Sequence, residues 1–333
     1  MTMPALMQVA AYRELGDARD VLTVRQIEAP DPGPGEVRIR VRMSGINPSD
    51  WRARRTGRPW AGAEWSIPHS DGSGTIDAVG EGVSESRLGE RVWIWNGAWN
   101  RSHGTASQFL CLPQRQAVLI PDHVSDEFAA GIGIPYMTAW HCLHVDGPLS
   151  GRTVLVTGGA GAVGNAAIQL AKYEGAFVVT TVSSPEKARI AQNAGADVVI
   201  DYRNAADLAA EITAASPYGG VDLVVEVALG ANIDCTARVL NPRGTVVAYA
   251  PEPEPPCLPT QRLLFLQASV RFMLVYTISE PEQDAAVTGI VDALSDCSLE
   301  QLPTTVFGMT DIVAAHEAVE AGTIGKVLVD PWK

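Results

Sequence analysis

The chain has 333 residues, 46% of them apolar, and a formal net charge of −13. That length suggests two domains at the usual ~150 residues each, with enough apolar content for a sizeable core. The acidic balance argues against nucleic-acid or anionic-membrane partners, since both need clustered Lys and Arg. No apolar run reaches the ~18 residues of a membrane span, and residues 1–9 lack the basic and apolar regions of a signal peptide. The five cysteines (Cys111, Cys142, Cys235, Cys257, Cys297) are scattered and odd in number. Reduced thiols in a cytoplasmic protein are expected rather than a disulfide framework.

In chain order, the first third reads as short antiparallel strands. A turn-rich stretch at 30–35 precedes an alternating strand at 36–44, and further strands are expected at 72–82, 91–95 and 105–112. From Ser125 the texture changes. Residues 125–143 carry a helical pattern with Ser125 as its cap. Strands at 153–157, 177–182, 198–202, 223–227 and 245–249 then alternate with helices near 163–174, 185–194, 205–215 and 231–240. That alternation predicts an α/β fold, with a Rossmann-type doubly wound parallel sheet behind a β-rich module. Residues 252–259 read as a proline-rich loop, 270–277 as a further edge strand, 311–322 as a helix and 326–330 as a final strand.

The strand at 153–157 runs into Gly159, Gly161 and Gly164, spaced Gly-x-Gly-x-x-Gly, and then into the helical face Val163, Ala166, Ala167, Leu170 and Ala171. Strand, glycine turn and helix in that order are the context of a dinucleotide fingerprint. One glycine lets the chain turn, one lets backbone approach a pyrophosphate, and one lets helix and strand pack closely. Gly159, Ala160, Gly161, Ala162 and Val163 are therefore expected to line the cofactor.

Several further motifs, in order, resemble the medium-chain dehydrogenase/reductase superfamily, in its zinc-free quinone oxidoreductase (zeta-crystallin-like) branch. They are Gly45-Ile46-Asn47-Pro48-Ser49-Asp50, Gly89-Glu90-Arg91-Val92, the run from Gly131 to Trp140, and Gly325-Lys326-Val327. The resemblance covers nearly the whole chain. It implies a GroES-like β-rich catalytic domain over 1–123, completed by 298–333, and a Rossmann domain over 124–297. Alcohol dehydrogenases of the superfamily place zinc ligands where this chain has Asn47, Ser70 and Ile134, none of them a usual zinc ligand here. The structural zinc lobe needs four close cysteines, and residues 90–115 hold only Cys111. No metal is expected.

The strand at 177–182 ends in Ser183-Ser184, without the carboxylate that binds the ribose hydroxyls in an NAD site. Small serines leave room for a 2′-phosphate and can donate to it. Lys187 stands one turn on, Tyr202 ends the next strand with Arg203 beside it, and Glu186 is expected to face solvent. In the resembled branch the matching Lys and Tyr hold the 2′-phosphate, so Ser183, Lys187 and Tyr202 point to NADPH.

By the same resemblance, Asn47 and Thr138 fall near the nicotinamide and Lys326 is counted among the cofactor-binding residues; Asn47 alternatively makes only an Asx-turn. Ser49 carries little weight without zinc. His69-Ser70-Asp71 invites a triad reading, but three consecutive side chains do not converge on one another. His316 reads as structural, and His103, in a Gly-containing loop, is the one histidine to test as a proton donor. Trp51, Trp60, Trp65, Trp95 and Trp99 are concentrated in one region. Trp51, Trp95 and Trp99 are expected near turns that border an interdomain cleft, as walls for a flat acceptor. Trp51-Arg52 stands where many relatives carry a tyrosine, so no proton donor is assigned.

The combined expectation is an NADPH-dependent, zinc-free reductase passing hydride to a quinone or activated enone, with alignment of donor and acceptor as its main contribution. Two alternatives stay open: an enoyl or enone reductase of a biosynthetic pathway, and a non-catalytic NADPH-binding structural or regulatory protein. A homodimer is expected, through pairing of the edge strand at 270–277 with its copy.

Overall fold

The computed structural model describes residues 6–57, 63–252 and 254–333, so Trp60 lies outside the described residues. They fall into two units: the chain up to Ile134 together with Pro303–Lys333, and Pro135–Leu302. Residues 124–134 thus belong with the first unit, not with the Rossmann part as the sequence suggested. The reason is local bonding: Ser73 Oγ donates to Asp126 O (2.7 Å), Arg91 pairs with Asp126 (2.9 Å), and Ile134 N–H donates to Asp71 Oδ1 (2.6 Å).

The first unit holds strands β1 (Leu6–Ala11), β2 (Thr23–Glu28), β3 (Glu36–Gly45), β4 (Asp71–Val79), β5 (Arg91–Ile94), β6 (Phe109–Pro113) and β7 (Ala117–Leu119). The second holds β8 (Thr153–Thr157), β9 (Phe177–Val182), β10 (Val198–Asp201), β11 (Val221–Glu226), β12 (Leu240–Ala248) and β13 (Ser269–Phe272). The chain then returns to the first unit with β14 (Thr304–Gly308) and β15 (Lys326–Asp330).

In the first unit β1 and β2 form a hairpin-like pair, and a larger sheet runs β14-β15-β3-β4-β5-β7, with β6 also on β3. Alternation along β3 and β5 sends Val37, Ile39, Val41, Val92 and Ile94 into one core with Leu110 and Leu112. A second core lies under β1, where Met7, Val9 and Ala11 meet Met309, Ile312 and Ala315.

In the second unit all six strands are parallel, in the order β10-β9-β8-β11-β12-β13. This is the doubly wound arrangement, with the order reversing at β8. Every residue of β8 is buried, as expected of a parallel strand covered on both faces. The helix Ala162–Tyr173 buries Gly164–Ala171 against the sheet.

Several elements depart from the sequence reading: the strand expected at 105–112 begins only at Phe109, and the helix Glu280–Ser295 and the strand β14 were not expected. The pattern at 125–143 resolves into two helices, Asp126–Ala129 and Gly133–Leu143. Ser125 caps the first as expected, accepting from Phe128 N–H. The break falls where Gly133 meets β4 and β5: a Cβ there would lie 2.3 Å from Asp71 Oδ1 and 2.6 Å from Ile94 O. The edge strand also stops early. β13 ends at Phe272, and Val275–Thr277 is a 3₁₀ turn closed by Thr277 N–H and Oγ1 on Leu274 O. All five cysteines are free, and no described helix is long and apolar enough to cross a membrane.

Candidate active site

In the second unit, the carboxyl end of β8 opens into the glycine turn. The tight turn itself is made by Gly158, at φ +70°, one residue ahead of the fingerprint. Gly159 and Gly164 serve close packing: a Cβ on Gly159 would lie 2.1 Å from Thr180 Oγ1, and one on Gly164 2.4 Å from Gly158 O. Gly161 is the N-cap of the helix Ala162–Tyr173, and the first helical bond is Asn165 N–H to Gly161 O (2.8 Å). The N–H groups of Ala162, Val163 and Gly164 are therefore without helical acceptors and sit at the positive end of the helix. That combination fits a pyrophosphate.

Beside the turn, Glu226 ends β11 with no exposure. Its Oε1 accepts from Thr157 Oγ1 (2.9 Å), Ala228 N–H (2.7 Å) and Asn232 Nδ2 (2.8 Å). Burial pushes its carboxyl above the usual range, against those bonds. Glu226 braces the switch point between β8 and β11, a role the sequence reading missed because nothing marks it in the pattern.

At the end of β9, Lys187 Nζ donates to Ser183 Oγ at 3.1 Å. Ser184 caps the helix Pro185–Asn193, which places Lys187 in its first turn. Glu186 is exposed, as expected. The register Asp201↔Val182 and the bond from Tyr202 N–H to Val182 O (3.1 Å) put Tyr202 next to this end of β9. The Asp201 carboxylate is occupied by Arg203 N–H and Asn204 Nδ2. Thr138 is buried in the helix Gly133–Leu143.

In the first unit the sheet gathers a buried polar cluster. The end of β3 pairs with the start of β4 (Gly45↔Asp71) and with β15 (Gly45↔Leu328). Asp71 is the hub: Oδ2 accepts from Asn47 Nδ2 (2.7 Å) and Lys326 Nζ (3.0 Å), and Oδ1 from Ile134 N–H. Lys326 Nζ also donates to Asn47 Oδ1 (2.7 Å). A side chain at Gly45 would displace the lysine stem, its Cβ falling 3.1 Å from Lys326 Cε. Asn47 is in addition the N-cap of the helix Pro48–Thr56, its N–H donating to Asp50 Oδ2 (2.7 Å). Burial raises the Asp50 carboxyl to about 7, with the Asp71 charge adding to it.

The side chains of His69, Ser70 and Asp71 do not converge. His69 turns away to Ser44 Oγ through Nδ1 (2.8 Å) and to His316 Nε2 through Nε2 (2.9 Å). Burial holds both histidines below the ordinary range, His316 down to about 3. His316 is structural in this sense, as the sequence suggested. His103 is half-buried, and burial lowers its pKa too.

Of the tryptophans, Trp95 is fully buried with Arg115 over its ring (5.4 Å), whereas Trp51 and Trp99 are half-buried. Trp51 rides on the helix Pro48–Thr56 with Arg52 over its ring (5.3 Å). Trp65 lies under two guanidiniums, Arg13 (4.9 Å) and Arg25 (3.6 Å).

Residues 33–122 match the alcohol dehydrogenase GroES-like domain, and residues 162–289 match the zinc-binding dehydrogenase family. A quinone oxidoreductase of Pseudomonas aeruginosa is 34% identical over 251 residues, covering 74% of this chain and 73% of that protein. The rat synaptic vesicle membrane protein VAT-1 homolog is 34% identical over 231 residues, 68% of this chain and 55% of the relative. The chain thus spans about half the length of that relative. A mycobacterial protein solved in complex with NADPH is similar across 98% of this chain and 100% of that one, with a TM-score of 0.82 at 29% identity. The chain belongs to the medium-chain dehydrogenase/reductase superfamily, in its quinone oxidoreductase-like branch.

Proposed function

We propose that the chain is an NADPH-dependent, zinc-independent oxidoreductase that passes hydride to a quinone or an activated enone. The observation that carries the reading is the Lys187–Ser183 contact at the end of β9, where an NAD site would place a carboxylate. The NADPH complex of the mycobacterial neighbour and the quinone activity named for the Pseudomonas relative support it.

The backbone of Gly159, Ala160, Gly161, Ala162 and Val163 takes the pyrophosphate, and Ser183, Lys187 and Tyr202 take the 2′-phosphate. Asn47, Thr138 and Lys326 are assigned to the nicotinamide riboside. Among the described residues Asn47 Nδ2 donates only to Asp71, which leaves its second hydrogen to donate. When bound, the cofactor supplies hydride from C4 of its nicotinamide. The chain's part is orientation, with Asp71 fixing both Asn47 and Lys326.

Zinc does not fit the position its relatives use. The groups there are an asparagine amide, a serine and an isoleucine, and the nearby carboxylate of Asp71 is already neutralised by the Lys326 ammonium. Without a Lewis acid, oxidising a plain alcohol is hard, and reducing an electron-poor quinone is not. In quinone reduction one hydride and one proton give the hydroquinone, whose two O–H groups exchange with water, so no acid need be placed at carbon.

Trp51, Trp95 and Trp99 are proposed as the aromatic lining for a flat acceptor. We also place the protein in the cytoplasm as a homodimer. Among the described residues β13 pairs only with β12, and Phe272 and Leu274 beside that edge are exposed. Sedimentation of wild type against Phe272→Glu tests the dimer; a wild-type monomer contradicts it. NADPH consumption with a panel of quinones and enones tests the activity. Reduction of quinones is expected. Tight NADPH binding with no acceptor reduced would favour the non-catalytic alternative.

A further inference from the structure

The stretch from Trp93 in β5 to Arg101 leaves an unusual number of buried polar atoms without partners among the described residues. Trp93, in β5, and Trp95, just past its end, are both fully buried. The Nε1 of each has no hydrogen-bond partner among the described residues. Asn96 follows, 4% exposed, with Oδ1 unpartnered; Arg101 has Nη1 buried and unpartnered. Each such atom costs roughly 1–3 kcal/mol when it is left unsatisfied. Native chains keep few, and a group of them asks for a ligand or water.

Gln116 ties Arg101 to the main chain of Trp95 and Asn96. Arg101 Nη2 donates to Gln116 Oε1 (2.7 Å), and Gln116 Nε2 donates to Trp95 O (3.1 Å) and Asn96 O (3.5 Å). Asn96 is held at φ +53°, a left-handed conformation that most residues avoid. The stretch also adjoins the Asp71 hub. Ile94 pairs with Gly72, and Gly97 N–H donates to Ser70 O (2.9 Å).

The charge is the second observation. Arg87 and Arg91 on the same strand region each pair with a carboxylate, Glu90 and Asp126. Arg101 is bonded to a neutral amide instead. Burial, opposed by the charge of Glu36, lowers its pKa but leaves a guanidinium fully protonated near neutrality. Arg115 adds a second cation over the Trp95 ring.

We infer that Arg101, with Trp95 and Asn96, forms a subsite for a carboxylate on the planar acceptor. This rests on the reductase reading and narrows its substrate class. The guanidinium and indole N–H groups donate to the carboxylate oxygens, and Asn96 Oδ1 accepts from a neighbouring hydroxyl or N–H. Neutral quinones are then poorer acceptors than their ring-carboxylated counterparts.

The test uses the full chain, wild type and the variants Arg101→Gln and Arg101→Lys. Benzoate and benzamide, which cannot be reduced, are titrated by calorimetry, and kcat/KM is measured for a matched neutral and carboxylated quinone. Wild type is expected to bind benzoate more tightly than benzamide, and to favour the carboxylated quinone by about tenfold, the scale of one charge-assisted bond. Arg101→Gln should erase both preferences, and Arg101→Lys should restore part of them. Equal binding of benzoate and benzamide by wild type, or a preference that survives in Arg101→Gln, overturns the subsite and leaves ordered water to satisfy the unpartnered atoms. If no quinone is reduced, the reductase reading fails separately, and the benzoate titration alone decides the subsite.

Discussion

Lys326 Nζ lies 3.0 Å from Asp71 Oδ2, the lysine side chain 4% exposed and the aspartate not at all. The partners are 255 residues apart in sequence, so the pair ties the C-terminal strand β15 to the start of β4. Removing one member leaves the other as an uncompensated buried charge. Lys326→Met is therefore expected to cost about 3–5 kcal/mol of stability, and Asp71→Asn a similar amount. The double variant should lose clearly less than the sum of the two. Urea denaturation of all four proteins checks this. Losses that simply add would show that the two groups act independently.

Lys187 is expected to read the 2′-phosphate. Lys187→Ala should weaken NADPH binding by roughly 1.5–3 kcal/mol, the scale of a charge-assisted hydrogen bond, and should barely change NADH binding. Direct titration with both cofactors measures it. Equal losses for the two would assign Lys187 a structural part through Ser183.

Asp50 gives a pH dependence of stability with a definite sign. Its carboxyl is raised from 3.8 to about 7 in the folded chain. Its contribution is fully present below about pH 4 and declines as pH rises towards 7, because the unfolded state ionises first. His69 and His316, held below 6.5 by burial, act in the opposite sense, and their contribution is lost as pH falls below that value. Asp50→Asn keeps an acceptor for Asn47 N–H. Its melting temperature should fall less between pH 4 and 7 than that of wild type. Parallel curves for the two proteins would show that Asp50 stays ionised in the fold.

Trp51 lies half-buried on the helix that Asn47 caps. Trp51→Ala should lower kcat/KM for large planar quinones more than for small enones, because stacking scales with shared ring area. Steady-state kinetics on both acceptor sets decides it. A main loss in NADPH affinity would make Trp51 a packing residue.

The parallel sheet was legible because most of its strands carry a short apolar run between helical patterns, and the predicted 177–182 matches β9; in the other sheet 326–330 matches β15. The break at Gly133 was not legible, since it comes from contact with Asp71 and Ile94, both remote in sequence. The fingerprint glycines were seen, but the turn was assigned to them and belongs to Gly158, whose φ no spacing reveals. Of the polar cluster, Asn47 and Lys326 were named through resemblance to known proteins. Asp71 was noticed only inside a rejected triad. Its role as hub depends on three strand ends meeting, which is a property of the sheet register. The orphaned atoms of Trp95, Asn96 and Arg101 carry no sequence signal at all, because a missing partner appears only once the surroundings are built.

The central claim is hydride transfer from NADPH without zinc, and one measurement tests it most directly. Purified protein is stripped with a strong chelator, its residual zinc is quantified, and initial rates of para-quinone reduction are compared with NADPH and with NADH. The account predicts undiminished turnover at zinc far below one per chain, with NADPH favoured by about tenfold or more in kcat/KM, as expected for a read 2′-phosphate. Turnover that disappears with the zinc and returns on its addition, or equal rates with the two cofactors, would contradict it.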